Sequence, residues 1–202
     1  MYTIKEKCEN LIEIKKSKFI SYAIPVMSND DVETNLAMLR KAHKDATHIC
    51  YAFVLSSPNL EKCSDDGEPD GTAGKPMLDI LKKNNLSNVL LVVVRYFGGI
   101  KLGAGGLVRA YAGASSEVIK LCQLGTFRDV LSIKISCNIP FAKKLLDYLR
   151  GYEIKIISQE YSDVFSVKVA VEDDNVLNGL SNEYIREQLE KTKVFYDKDI
   201  KD

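Results

Sequence analysis

Alternating apolar and polar residues near the start of the chain are typical of two paired strands. The basic pair Lys15-Lys16 separates them and fits a tight turn. Ser28 then provides N-cap chemistry, and apolar residues recur at helical spacing as far as His43. β-branched and aromatic residues follow, and an irregular stretch is expected from Ser56 onward. These patterns predict strands at 11–14, 17–24 and 49–55 and a helix from about 29 to 43.

The middle of the chain predicts a buried strand between two helices. Pro76 fits the first position of a short helix that ends at Lys83, because the missing N–H has no partner there. Residues 89–94 are continuously apolar, which predicts a strand over 88–95 that is buried on both faces. A glycine-rich loop follows, and apolar spacing predicts a helix from about Leu107 that ends before Gly125.

After residue 128 the pattern starts again, which predicts a second domain. Its predicted order is strand, helix, strand, strand, helix, at 130–137, 141–150, 152–160, 164–171 and 174–190, with a short final strand at 194–196. The order β-α-β-β-α is that of a ferredoxin-like domain. We therefore predict an α+β protein with two domains, 1–128 and 129–202.

Composition and charge exclude several classes of protein. The 202 residues are 46% apolar, and no apolar run approaches the length of a membrane span, so no membrane association is expected. The polar start of the chain lacks the apolar core of a signal peptide, which predicts a cytoplasmic protein. A net charge of zero argues against nucleic-acid binding through a strong overall field, and no readout of DNA sequence is expected. The five cysteines contain no CxxC pair, and no cysteine stands in a catalytic motif.

The first candidate functional segment, residues 64–76, is called the acidic loop here. Its candidate residues are Ser64, Asp65, Asp66, Glu68, Gly71, Thr72 and Gly74. The glycine backbone and the following helix start could bind an anion, with the carboxylates holding a divalent cation. Alternatively, the polar side chains only cap turns and the helix start. No cofactor is expected, although the loop could bind a divalent cation.

The second candidate segment, residues 95–109, is called the glycine-rich loop. Its candidate ligand-binding residues are Arg95, Tyr96, Gly98, Gly99, Lys101, Gly103, Gly106 and Arg109. A buried strand, a glycine-rich turn and a helix form a layout that cradles phosphate, although the segment matches neither the Walker A nor the dinucleotide pattern. The alternative is that the glycines permit tight packing and the arginines pair with acidic-loop carboxylates. Opposite charges on the two loops predict that they meet.

His48 is an accessory candidate because it precedes a predicted strand and is one of only two histidines. A single imidazole is more often structural than catalytic. No arrangement of serine or cysteine with histidine and a carboxylate can be assigned from the sequence.

The two loops closely resemble the signature segments of the IMPACT/YigZ family, as do residues 16–20 and 46–52. Asp70 departs from the family pattern, in which serine is usual. The resemblance implies a first domain like the second domain of small-subunit ribosomal protein five, a fold shared with domain four of elongation factor G. It also implies a C-terminal domain like domain five of that factor. Eukaryotic members of the family regulate translation with the help of a further N-terminal domain.

These observations favour a non-enzymatic, translation-associated protein that binds RNA, the ribosome or a translation factor. Arg95, Lys101 and Arg109 would contact phosphates, and the acidic loop would orient the arginines. Two alternatives stay open at this point. One is a metal-dependent enzyme acting on a phosphorylated small molecule at Asp65, Asp66 and Glu68. The other is a protein-binding adaptor.

Overall fold

The computed structural model describes residues 1–180 and 184–198, with the backbone alone at 188–190. The chain forms two compact units. The first comprises Met1–Thr126 together with Asp197 and Lys198, and the second comprises Phe127–Tyr196. Helices and strands occur in both units, which confirms the predicted α+β class. Among the described residues, no helix is long and apolar enough to cross a membrane.

The first unit is built around an antiparallel five-stranded sheet in the order β2-β3-β6-β4-β5. Its elements are β1 (Thr3–Ile4), β2 (Cys8–Ile14), β3 (Ser17–Pro25), α1 (Asn29–Ala42), β4 (His48–Ser56), β5 (Asn59–Ser64), α2 (Gly74–Lys83), β6 (Val89–Tyr96) and α3 (Ala104–Lys120). The apolar strand β6 lies at the centre of the sheet. Its burial on both faces confirms the prediction made from its continuous apolar run.

The two faces of this sheet carry separate apolar cores. On one face, α1 packs its buried side chains against Val92 and Val94 of β6. On the other face, α2 and α3 pack against Leu91 and Val93. Because side chains alternate along a strand, the residues at the end of β6 are also divided between the two faces. Arg95 therefore belongs to the face covered by α2 and α3.

Several details of the first unit differ from prediction, three of them near the candidate segments. The stretch expected to be irregular contains β5, which pairs with β4 from Ser56↔Asn59 to Tyr51↔Ser64. The polar sequence of β5 lacks clean alternation, as an edge strand allows. Helix α2 begins at Gly74, so Pro76 is its third residue, where an N–H would still have no helical partner. Helix α3 begins at Ala104 and takes two of the predicted loop glycines into its first turn.

The second unit contains a sheet in the order β8-β9-β7-β10. Its elements are β7 (Leu124–Cys137), a 3₁₀ turn (Ile139–Phe141), α4 (Ala142–Gly151), β8 (Lys155–Tyr161), β9 (Phe165–Val171), a second 3₁₀ turn (Asp174–Leu177) and β10 (Ile185–Asp197). Leu145 of α4 shares a buried apolar core with Ile135 of β7 and Val167 of β9.

The predicted helix at 174–190 is wrong for the residues that the structure describes. Residues 174–177 form only a 3₁₀ turn, and β10 begins at Ile185, while residues 181–183 lie outside the described part. The expected short strand at 194–196 is the end of this longer strand. Strand β7 starts at Leu124, six residues before the predicted start, so Gly125 pairs with Thr3 and does not cap a helix.

Candidate functional site

The acidic loop and the glycine-rich loop are joined by a buried ion pair. Arg95 Nη1 lies 2.6 Å from Glu68 Oε1, and the two side chains are 6% and 3% exposed. The Tyr111 hydroxyl of α3 donates to the same Glu68 oxygen at 2.7 Å. Burial first, then Cys50 and Glu68, raises the pKa of Tyr111 far above its ordinary value, so this donor keeps its proton. The prediction that the loops meet through opposite charges is therefore confirmed for Arg95 and Glu68.

Ser17, at the start of β3, ties the glycine-rich loop to the sheet. Its Oγ accepts hydrogen bonds from Arg95 Nη2 at 3.4 Å and from the Gly98 N–H at 3.1 Å. Gly98 packs so closely that a Cβ there would lie 2.0 Å from the Lys16 carbonyl carbon. Only glycine permits this approach of backbone to backbone. The loop is thus fixed at its start by contacts with the β2–β3 turn.

Asp65 organises the acidic loop. Its carboxylate accepts hydrogen bonds from the backbone N–H groups of Gly71, Ala73 and Gly74 at 2.8–2.9 Å. Burial raises the pKa of Asp65, but the three backbone hydrogen bonds outweigh it, so the pKa lies below the usual value. A Cβ at Gly74 would lie 2.8 Å from the Ser64 backbone nitrogen, so this loop also closes tightly. These contacts agree with the interpretation of Asp65 as a turn and helix-start residue.

Asp66 and His48 connect the acidic loop to the start of β4. The Ile49 N–H donates to Asp66 Oδ2 at 2.7 Å, and His48 Nδ1 lies 2.8 Å from the Asp66 carbonyl oxygen. His48 Nε2 lies 3.9 Å from the second carboxylate oxygen of Glu68. His48 therefore lies beside the buried ion pair. From the sequence it was only an accessory candidate.

The remaining acidic-loop candidates have structural partners. The Ser64 Oγ accepts from the Asp66 N–H at 3.2 Å, and the buried Thr72 Oγ1 donates to the Pro69 carbonyl at 2.6 Å. Gly71 has a positive φ of 71°, which glycine adopts readily. No group of three His, Cys, Asp or Glu residues that could hold a metal occurs in the described part of the chain. The carboxylates of Asp65, Asp66 and Glu68 each accept hydrogen bonds from different partners.

The buried thiol of Cys50 lies beneath the acidic loop and donates to the Asp65 carbonyl oxygen at 3.0 Å. Burial raises its pKa to about 12, and the neighbouring carboxylates act in the same direction. The thiol stays protonated at neutral pH and is a poor nucleophile.

Helix α3 presents an open N-terminus at the end of the glycine-rich loop. Gly103 is the N-cap residue, has a φ of 71°, and provides no side chain to cap the helix. The first helical bond runs from the Leu107 N–H to the Gly103 carbonyl at 2.9 Å. A Cβ at Gly106 would lie 3.0 Å from the Leu102 Cβ, so this glycine permits close packing of the loop on the helix. Lys101 and Arg109 are exposed beside this turn.

A cavity of about 410 Å³ lies between the ion pair and the start of α3. It is lined by residues from both loops and from the start of β4, namely Thr47, His48, Glu68, Pro69, Arg95, Phe97, Lys101, Leu102, Gly103, Ala104 and Leu107. The size falls within the range of cavities that bind small ligands. Cations, a helix N-terminus and apolar side chains together suit an anionic ligand that also has an apolar part.

Of the candidates in the glycine-rich loop, Arg95, Lys101 and Gly103 line this cavity, whereas Tyr96, Gly98, Gly99, Gly106 and Arg109 do not. The Tyr96 hydroxyl lies 2.8 Å from His43 Nδ1, and Tyr96 packs with the core on the α1 face of the sheet. Arg109 is exposed on α3 and does not line the cavity. Gly99 has a φ of 84° and open space around it, which indicates a role in the turn of the loop.

Several site residues were not singled out from the sequence. They are Ser17, Thr47, Phe97 and Tyr111. Ser17, Thr47 and Phe97 lie within segments that carried the family resemblance, and Tyr111 lies two residues beyond one, which is the signal by which they could have been found. Their separation along the chain gives no other indication that they meet.

Comparison with known proteins shows the family of this chain. The family model described as the Impact N-terminal domain matches residues 15–119, which include both loops and the cavity. The chain belongs to the IMPACT family, as its two loop sequences indicated.

Bacterial relatives match over most of their length. The IMPACT family member YvyE of Bacillus subtilis is 37% identical over 173 residues, which are 85% of this chain and 80% of the relative. The IMPACT family member YigZ of Escherichia coli is 37% identical over 164 residues, 79% of each chain. A crystal structure described as that of a hypothetical protein is 33% identical, covers 84% of each chain, and has a TM-score of 0.59.

Proposed function

We propose that this IMPACT family protein is a translation-associated RNA-binding protein without enzymatic activity, which contacts RNA or the ribosome through the glycine-rich loop. The observation that carries the proposal is the open N-terminus of α3, with Lys101 and Arg109 exposed beside it. Unpaired helical N–H groups and the helix dipole favour anions such as phosphate. Family membership supports the link to translation, since eukaryotic relatives are expected to regulate it.

The buried ion pair gives Arg95 a different role from the one that the sequence suggested. Its guanidinium is neutralised by Glu68 and fixes the acidic loop against the end of β6. Phosphate contacts are therefore assigned to Lys101, Arg109 and the backbone of α3. The exposed lysines Lys15 and Lys16 extend the same cationic surface, because the Lys16 backbone packs on Gly98.

The likeness of the two units to translation-factor domains is part of this proposal. In the second unit, the element order strand, helix, strand, strand, strand agrees with a ferredoxin-like sheet that lacks the second helix among the described residues. The geometry favours binding over the alternative of metal-dependent catalysis, because Asp65, Asp66 and Glu68 each have other hydrogen-bond partners.

Ribosome co-sedimentation and filter binding to ribosomal RNA fragments test the proposal at about 50 and 200 mM salt. We expect binding at low salt and a steep loss at high salt. The double variant Lys101→Ala/Arg109→Ala should weaken binding, whereas Arg40→Ala/Lys41→Ala removes the same charges from α1 on the opposite face and should not.

Four outcomes would count against the proposal in different ways. Absence of binding at low salt contradicts RNA association altogether. Equal effects of the two double variants place the contact elsewhere. Binding to ribosomes without binding to free RNA fragments favours the adaptor alternative. A melting-temperature increase with divalent metal that Asp66→Asn abolishes would favour the enzyme alternative.

A further inference from the structure

We infer that the cavity at the start of α3 accepts one unpaired nucleotide of a single-stranded RNA, with its phosphate at the helix N-terminus and its base against Phe97. The inference rests on the proposed function, because it names the form of RNA that the same site selects. Four features of the cavity carry it: the helix N-terminus, a buried unsatisfied donor, an exposed aromatic ring and the size of the space.

The phosphate end of the site is the first turn of α3. The backbone N–H groups of Ala104, Gly105 and Gly106 precede the first helical hydrogen bond, and no side chain caps them. Helix α3 is 17 residues long, so its dipole adds to the attraction for an anion. Lys101 lines the cavity next to this turn and supplies a full positive charge.

Arg95 provides independent evidence for a ligand. The residue is 5% exposed and lines the cavity, and no acceptor for its Nε–H is present among the described residues. Its other two nitrogens are engaged by Glu68 and Ser17. A buried donor without a partner is costly, and most such donors in native proteins have an acceptor. An acceptor atom of a bound base, such as a ring nitrogen of adenine, would supply this partner.

Phe97 provides the surface for a base. Phe97 is 46% exposed although it follows a strand whose first seven residues are buried. The Phe97 N–H donates to Thr47 Oγ1 at 3.0 Å, which holds the backbone in place, and the Arg95 guanidinium lies 5.4 Å from the ring centroid. Stacking on aromatic rings beside cations is the common means of binding unpaired bases. The apolar side chains of Leu102 and Leu107 complete the lining.

The cavity also determines which RNA can use it. A volume of about 410 Å³ suits one nucleotide and is too confined for a double helix. Bases within a duplex are stacked and cannot reach an aromatic ring, so an unpaired base is required. The site therefore favours single strands, loops and ends over duplexes.

Filter binding tests this with a 12-nucleotide oligoadenylate and with a blunt RNA duplex of the same length, at fixed low salt. The protein should prefer the single strand. Phe97→Ala should weaken single-strand binding by roughly fivefold to a hundredfold, the range for loss of one stacked base, and leave duplex binding unchanged. Phe97→Tyr keeps the ring and should restore the preference, and Met38→Ala, an exposed apolar residue on α1, should have no effect.

The outcomes separate the inference from the proposed function. Equal binding of both RNAs, with Phe97→Ala neutral and Lys101→Ala/Arg109→Ala weakening both, overturns the inference and leaves RNA binding intact. No binding of either RNA overturns the proposed function.

Thermal unfolding with adenosine monophosphate and with inorganic phosphate distinguishes a base site from a phosphate site. A larger stabilisation by the nucleotide, lost in Phe97→Ala, supports the inference. Equal stabilisation by both ligands would show that the site binds phosphate alone and would overturn the inference. Stabilisation by the nucleotide without RNA binding would identify a site for free nucleotides and would contradict the proposed function.

Discussion

Arg95 Nη1 and Glu68 Oε1 lie 2.6 Å apart in the interior of the first unit, 27 residues apart in the chain. This contact joins the end of the central strand to the acidic loop, and both residues line the candidate site. Removal of either side chain would leave the charge of the other buried without a counter-charge, which lowers the stability of the fold. The stability of the site should therefore depend on both residues together.

We expect Glu68→Ala to lower the free energy of unfolding by about 3–5 kcal/mol, because Arg95 and Tyr111 lose their shared acceptor. Urea denaturation measures the effect. The double variant Glu68→Leu/Arg95→Met should lose less than the sum of the single variants. The half-exposed pair of Glu61 and Lys82 is the control, and Glu61→Ala should cost about 1 kcal/mol or less. Equal costs at Glu68 and Glu61 would contradict the prediction.

Gly98→Ala should destabilise the protein by about 1–3 kcal/mol, because the added Cβ meets the Lys16 backbone. Gly113→Ala is a matched control on α3, where an added Cβ meets no atom within 4 Å. The control should stabilise by about 0.5–1 kcal/mol, since alanine favours the helix over glycine. Chemical denaturation measures the stability of both variants. If Gly98→Ala left stability unchanged, the glycine-rich loop would not pack on the β2–β3 turn as described.

Asp65→Asn should lower stability at pH 7 by about 2 kcal/mol, because backbone donors lose a charged acceptor. The folded-state pKa of Asp65 lies below its ordinary value. Its contribution to stability is therefore fully present above the unfolded-state pKa of about 4 and is lost as the pH falls through the folded-state pKa.

The difference in free energy of unfolding between wild type and Asp65→Asn should consequently narrow below about pH 4. Urea denaturation midpoints from pH 7 to pH 3 measure this difference. Asp70→Asn, at an exposed position of the same loop, should follow the wild-type curve. A difference that stays constant over this range would show that the ionised form of Asp65 is not the one stabilised.

Lys101→Ala and Arg109→Ala should each reduce the salt dependence of RNA binding. Each lost contact with a single-stranded phosphate lowers the slope of log affinity against log salt by about 0.7. Filter binding at several salt concentrations gives this slope, and Arg40→Ala should leave it unchanged. A variant that weakens binding at an unaltered slope would indicate that the side chain does not contact phosphate.

Much of the fold could be predicted because it depends on local pattern. The apolar run 89–94 identified a central strand, and the Ser28 cap and helical spacing identified α1. The second helix of the C-terminal domain was predicted wrongly from a segment in which strand β10 pairs with β7. Tertiary pairing of this kind overrides local preference, and no local signal announces it.

The sequence by itself determined the family, the positions of the two loops and their opposite charges. Only the tertiary structure decided that Arg95 is buried against Glu68 whereas Lys101 and Arg109 stay exposed. In the tertiary structure Tyr96 lies on the α1 face of the sheet, and Ser17 contacts the glycine-rich loop. The physical reason is that local spacing fixes where strands, turns and helices form. Which side chains meet depends on strand order and helix packing, which join residues far apart in the chain.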